Sequence, residues 1–323
     1  MKRIRSLLSL AVLEIILAGL CIFLAASAPN FLTTDNLLNV LRNVSMQGVI
    51  ALGMTLVIIA GEIDLSVGSM VAFSGCLTAY LTGVFAPSGS GAALAAAVGG
   101  AILAAILAGI ACGALTGVLR NRFGVPSFIS TLALLTALSG AAELMTNGFP
   151  LTPFPSWYNF FGGGYLLGIP FPAIVFLAAF VLVHLLMNYT AFGRGVYAVG
   201  GNAEAARLSA INVSAVRVGV LALTSGLAAL SGVMQSSEIM SGTATTAKGW
   251  ELDVIAAVII GGTSLAGGVG RVWGTMVGVV FLGVIMNGMT LLNVSEYWQH
   301  VVRGGLILLA VLINRIERKG KIR

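Results

Sequence analysis

The sequence predicts an all-α polytopic membrane protein of about ten transmembrane helices, with broken helices and an internal repeat, in a single transmembrane domain over residues 1–323. Three observations carry this. Of 323 residues, 58% are hydrophobic and 9% charged, with a mean hydropathy of +1.02; soluble domains are typically about 25% charged. Long stretches hold no charge, as from Ser69 to Leu119. The 42 glycines suit membrane helices, where small residues let backbones approach. The net charge of +6 could point to nucleic acid, but the basic residues gather in loops and at the ends. That is the pattern of a protein facing membrane lipid, so no nucleic-acid partner is expected.

A window of roughly 20 apolar residues spans the hydrocarbon layer. Applied in order, it gives spans near 7–28, 44–60, 69–86, 93–119, 127–146, 170–188, 218–236, 252–266, 272–291 and 300–314. The first imitates a secretion signal, with Lys2, Arg3 and Arg5 before an apolar stretch and Ala25-Ala26-Ser27-Ala28. With so many later spans it reads as a retained helix, and Glu14 within it suits packing inside a bundle. If the N-terminus is inside, 14 of the 17 Lys and Arg fall on the inner side, and only Arg42, Lys248 and Arg303 fall outside. Both termini are therefore expected in the cytoplasm. The outer side receives the loop Phe149 to Tyr158, whose Trp157 and Tyr158 suit the headgroup region.

Glu62 and Asp64 interrupt a charge-free run between Val44 and Leu119. A carboxylate at mid-bilayer depth costs about 2.5–3.5 kcal/mol. Two of them beside Gly61 and Gly68 fit a non-helical hinge lining a polar cavity, or else a short interfacial loop with its carboxylates in water. A related run lies about 200 residues on: Val57-Ile58-Ile59-Ala60-Gly61 matches Val258-Ile259-Ile260-Gly261-Gly262. The match reads as a duplication, with repeat halves of about 7–122 and 207–323, or as chance likeness between two glycine-rich runs. A duplication would set two broken helices across a substrate path. Cys21, Cys76 and Cys112 lie unpaired in apolar segments and read as buried small hydrophobes. His184 lies in an apolar run and His300 near a helix end, neither in a cluster of metal-ligating residues, so no metal is expected.

The most polar internal stretch runs from Tyr189 to Arg217. Within it Asn202 can cap a short helix, with Glu204 in its first turn complementing the dipole. That helix could be a connector on the membrane surface or a segment that docks into another protein. No Gly-x-x-x-x-Gly-Lys-Ser/Thr loop is present to hold phosphates, so no cofactor is expected and any ATP would be bound by a partner.

Five motifs stand in order along the chain: Phe31-Leu32-Thr33-Thr34-Asp35-Asn36; Ile63-Asp64-Leu65-Ser66-Val67-Gly68; Val125 to Leu132; Phe192-Gly193-Arg194 with Gly200-Gly201-Asn202-Ala203-Glu204-Ala205-Ala206; and Gly261 to Gly270. In these the chain resembles the sugar-type permeases of bacterial ATP-binding-cassette importers, in the ribose and branched-chain amino acid permease superfamily. The resemblance implies that Asn202, Glu204, Ala205, Ala206 and Arg207 form the coupling loop that meets the ATP-binding subunit. Ala210 stands where such loops usually place glycine, and glycine is also common at the position of Glu62. The implied pathway and gating residues are Glu62, Asp64, Ser66, Gly261, Gly262 and Thr263. The implied partners are ATP-binding subunits, a soluble extracytoplasmic substrate-binding protein and a second permease copy forming a homodimer. The implied location is the bacterial cytoplasmic (inner) membrane, and the chain itself would not be an enzyme.

The expected cargo is a neutral monosaccharide. Interior charges read as acidic only (Glu14, Glu62, Asp64, Glu143 and Asp253), with no base to balance an anion. Ser66, Thr131, Thr263 and Asn287 could supply polar contacts, and Phe73 or Phe128 aromatic faces. Branched-chain amino acids remain the alternative within the superfamily. An ion-coupled secondary transporter using Asp64, Glu62 or Glu143, and a passive channel filtered by the glycine breaks, are rivals of another class. Neither explains the Glu204-Ala205-Ala206 loop.

Overall fold

Thr33 starts the most deeply buried helix. Its Oγ1 accepts from the Asn36 N–H at 3.4 Å, and Asp35 lies in the first turn, where the helix dipole favours it. The chain is helical almost throughout in a computed structural model that describes residues 12–86 and 90–321. In order come α1 (Val12–Ser27), α2 (Thr34–Ile59), α3 (Val67–Phe85), α4 (Gly91–Arg122) and α5 (Ser127–Thr146). A 3-10 turn (Ser156–Asn159), α6 (Phe160–Gly163) and an antiparallel pair, β1 (Tyr165–Leu166) and β2 (Ile169–Pro170), form the long connection that follows. Then come α7 (Phe171–Tyr189), α8 (Ala191–Gly201), α9 (Ala203–Leu208), α10 (Val213–Glu238), α11 (Trp250–Ile260), α12 (Val272–Leu291) and α13 (Glu296–Lys321).

Among the described residues, α2, α3, α4, α5, α7, α10 and α12 are the seven helices long and apolar enough to cross a membrane. The expected spans and the helices agree within a few residues over α3, α4, α5, α7 and α12. Two expectations change. The span expected from residue 44 begins at Thr34, because the Thr33 cap extends it through two polar turns holding Asn36, Asn39, Arg42 and Asn43. The span expected over 252–266 is an 11-residue helix that stops at Ile260. At 1.5 Å per residue it covers only about half of a ~30 Å hydrocarbon layer. Lys2, Arg3, Arg5, Arg323 and the first residues of the 7–28 span lie outside the described residues.

Helix α2 forms the axis of the core. From Val44 to Ile59 every residue except Gln47 is buried, against α7, α10, α11 and α12. Hydroxyls tie it in place: Thr55 Oγ1 lies 2.6 Å from Thr275 Oγ1 of α12, and Ser231 Oγ of α10 donates to the Met46 carbonyl at 2.8 Å. In an apolar interior such bonds have no water competing for them.

Helices α4 and α10 pack along Gly109, Gly113 and Gly117, spaced one turn apart on a single face. A Cβ at Gly113 would fall onto the Leu221 carbonyl oxygen, and one at Gly117 would sit 2.6 Å from Val218 Cα. The small-residue stripe thus sets the interhelical distance.

The long connection corrects a further expectation. Trp157 is half exposed, but Tyr158 is fully buried instead of reaching a headgroup layer. It stacks on Phe154 with ring centroids 4.0 Å apart, and its hydroxyl meets Ser236 Oγ at 2.8 Å and the Val233 carbonyl at 3.1 Å. Burial pushes the phenol above its ordinary pKa, so it stays protonated and able to donate.

Gly113→Leu should force α4 off α10 and lower stability by about 1–3 kcal/mol, as overpacking does. Gly99→Leu is the control, because no atom lies within 4 Å of a Cβ placed there. Thermal unfolding of the purified protein in detergent checks this: equal midpoints for the two variants would remove the stripe from the packing account.

Candidate functional site

Two helices stop inside the protein, and both use the same cap. At the end of α2 the Gly61 N–H donates to the Ile58 carbonyl at 3.0 Å and the Glu62 N–H to the Val57 carbonyl at 3.0 Å. At the end of α11 the Gly262 N–H donates to Ile259 at 2.9 Å and the Thr263 N–H to Val258 at 3.2 Å. Gly61 at φ +78° and Gly262 at φ +89° occupy the left-handed region that this cap requires. The likeness between the two runs therefore extends to their geometry. Beyond the caps they diverge: the first leads straight into α3, whereas the second makes a turn closed by the Ser264 N–H donating to Val269 at 2.9 Å.

The first break is satisfied from its surroundings. The Ile63 N–H donates to Ser127 Oγ and the Leu65 N–H to Thr131 Oγ1, each at 3.1 Å. Asp64 is 1% exposed. Its Oδ1 accepts from the Ser66 N–H at 2.8 Å and Ser66 Oγ at 2.6 Å, and its Oδ2 accepts from Ser225 Oγ at 3.4 Å. The carboxylate thus braces the unwound segment ahead of α3 with charge-assisted bonds.

Glu62 is buried beside two arginines. Its Oε1 lies 3.0 Å from Arg120 Nε at the end of α4 and 2.9 Å from Arg217 Nε near the start of α10. This ion cluster joins the first break to the helix pair packed along the glycine stripe. The second break meets the first directly, because the Gly268 N–H donates to the Ile59 carbonyl at 2.8 Å. The last turn of α8 closes the junction. A Cβ at Gly200 would fall onto that same Ile59 oxygen, and one at Gly267 would lie 2.6 Å from the Gly200 oxygen and 3.0 Å from Gly61 Cα.

From this junction the chain passes into α9. Asn202 caps it, its Oδ1 accepting from the Glu204 and Ala205 N–H groups at 3.0 Å each. Ala206 is buried, whereas Glu204, Ala205 and Arg207 are exposed and Leu208 is 82% exposed. Glu204 and Arg207 pair at 3.7 Å on this open surface. Ala210 closes the helix at φ +62°, with the Ile211 N–H donating to Ala206 at 3.0 Å. The turn that glycine would favour is kept with alanine.

A cavity of about 330 Å³ lies elsewhere, between α2, α11, α12 and α13. Asn39, Asn43 and Gln47 line it from α2, and Asn287 and Thr290 from α12. Asp253 of α11 and Arg303 of α13 pair at 2.8 Å in its wall. Of the sequence-derived polar contacts, Asn287 lines this cavity. Ser66 and Thr131 are used in the first break, Thr263 is buried in the second, and Phe73 and Phe128 do not line the cavity. None of Glu62, Asp64, Ser66, Gly261, Gly262 and Thr263 lines it. Asn39, Asn43 and Gln47 were missed, although their four-residue spacing puts them on one helix face.

The expectation of an acidic interior without bases does not hold. Glu62 has Arg120 and Arg217, Asp253 has Arg303, and Glu238 has Arg42 at 3.9 Å. Helix ends that look like outer or inner loops in sequence fold their arginines back onto buried or half-buried carboxylates.

Residues 36–311 match the family described as branched-chain amino acid transport system / permease component. The chain is 45% identical to the ribose import permease protein RbsC of Bacillus subtilis (strain 168), over 92% of this chain and 89% of that one. It is 42% identical to the protein of the same name from Escherichia coli (strain K12), over 96% and 92% of the two chains. It is 37% identical to the L-arabinose ABC transporter permease protein AraH of Azospirillum brasilense, over 91% and 84%. No solved structure matches. The chain belongs to this family of transport permeases.

Glu62→Gln should leave Arg120 and Arg217 facing each other without a counter-charge and lower stability by about 3 kcal/mol. Adding Arg217→Gln should recover part of the loss. Thermal unfolding of the single and double variants checks this, and additive effects would separate Glu62 from Arg217.

Proposed function

We propose that this chain is the permease subunit of an ATP-driven importer in the bacterial cytoplasmic membrane, carrying a monosaccharide delivered by a soluble extracytoplasmic binding protein. On this reading about ten segments enter the membrane, α1 and α13 among those that cross it and α11 reaching only part of the way, with both termini in the cytoplasm. Two copies form the pathway, and ATP is bound by separate subunits docked on Asn202, Glu204, Ala205, Ala206 and Arg207. The observation that carries the reading is the junction of α8 with both helix breaks. Gly200 touches Ile59 and lies against Gly267, so a push on α9 reaches two interrupted helices through backbone alone. Glu62, Asp64, Ser66, Gly261, Gly262 and Thr263 then act as hinge and gate supports. The ribose and arabinose permeases among the relatives support a sugar cargo.

An ion-coupled transporter fits less well. Asp64 and Glu62 are buried with their oxygens engaged, and Glu143 is exposed on the flank of α5. A coupling carboxylate needs a route to water and a vacant oxygen.

Glu204→Arg should weaken co-purification with the ATP-binding subunit about tenfold by reversing the charge at the start of α9, with insertion intact. Gly200→Ala should keep assembly but lower uptake, because the new methyl group displaces the Ile59 carbonyl. Full assembly and uptake by Glu204→Arg would move docking elsewhere. Uptake that survives blocked ATP hydrolysis, with ion gradients kept, would replace the importer by an ion-coupled carrier.

A further inference from the structure

We infer that the cavity between α2, α11, α12 and α13 is a transit site for a single neutral, polyhydroxylated ring, read by the amides of Asn39, Asn43, Gln47 and Asn287. The inference rests on the sugar-importer reading and adds to it a set of residues that touch the cargo. Asn39, Asn43 and Gln47 stand one above another on α2, across roughly 12 Å of helix at 1.5 Å per residue. Among the described residues, none of the three side-chain amides makes a hydrogen bond. Each amide offers both donors and an acceptor, which matches hydroxyls that also do both.

Opposite this ladder, Asn287 is held in place by a reciprocal pair with Asn36. Asn36 Nδ2 donates to Asn287 Oδ1 at 3.1 Å, and Asn287 Nδ2 donates to Asn36 Oδ1 at 2.8 Å. One N–H of Asn287 remains for a ligand, already oriented, which lowers the ordering cost of binding.

Charge and size restrict the cargo. Asp253 and Arg303 neutralise each other at 2.8 Å, and Asp253 is 7% exposed. A zwitterionic amino acid needs separate partners for its carboxylate and ammonium group, and here the two protein charges are already joined. An anion would have to break that pair. A neutral sugar needs neither. The volume of about 330 Å³ sits at the lower end of small-ligand sites, so it suits one ring with some water. Uncharged amides also hold such a ring weakly enough to let it leave, as a transit site requires.

The test uses the assembled permease, ATP-binding subunit and binding protein in liposomes, with labelled D-ribose, L-arabinose and L-leucine. Wild-type uptake reads the importer assignment by itself: leucine uptake with neither sugar carried would overturn both that assignment's cargo and this site. With sugar carried by the wild type, Asn43→Leu combined with Gln47→Leu should lower sugar moved per ATP hydrolysed about tenfold, as lost hydrogen bonds to a bound hydroxyl do. An unchanged ratio would overturn the site while leaving the importer intact. A second measurement covers misfolding of the double variant. In Gln47→Cys, sugar supplied during turnover should slow maleimide labelling at least twofold, whereas leucine should not. Labelling at the same rate with and without sugar would overturn the inference.

Discussion

A helix that ends inside an apolar protein leaves carbonyl and N–H groups with no water to receive them, and each unsatisfied group costs several kcal/mol. The whole arrangement around residues 59–68 and 259–271 follows from that constraint. Left-handed glycines at 61 and 262 turn the freed N–H groups back onto the carbonyls one turn earlier. Ser127 and Thr131 reach across from α5 to satisfy Ile63 and Leu65. Asp64 then gathers Ser66 and Ser225 around a carboxylate that has no contact with solvent. Removing any one partner would strand a buried polar group, so these residues stand or fall together.

The same constraint explains where the breaks meet. A carbonyl at the end of α2 is free to accept from outside its own helix, and Ile59 accepts from Gly268. Only residues without a Cβ can bring three backbones to that point, hence glycine at 200, 267 and 268. Such a junction transmits displacement with little slack, because no flexible side chain lies between the parts. The Glu62 cluster extends it to α4 and α10, so one charged group links the break to the most closely packed helix pair.

Much of this was legible in the chain, and the reasons differ by element. The spans could be read because bilayer thickness dictates their length. The α9 cap could be read because Asn202 and the N–H groups it binds are neighbours in sequence. The two glycine breaks could be read because their caps need glycine locally. Partners distant in sequence could not be read. Arg120 and Arg217 looked like inner-loop charges, and Arg303 like an outer one, yet each reaches a buried carboxylate. Tyr158 looked like an interfacial anchor and is instead a core residue bonded to Ser236. The start of α2 was hidden because its first turns are polar, and that polarity is what the cavity uses.

Pairing Asp253 with Arg303 has a consequence for the proposed transport cycle. A bare carboxylate in a low-dielectric wall would bind cations and resist the movement of its helix, whereas a paired one exerts little long-range field. With Asp253 closed on Arg303, the remaining polar groups lining the cavity are mainly amides, whose hydrogen bonds are short in range and individually weak. Two conformations of such a protein can lie close in free energy, because moving one helix past another exchanges contacts of similar strength. If a partner docks on α9 as proposed, its binding energy needs to favour one state by only a few kcal/mol to shift the population.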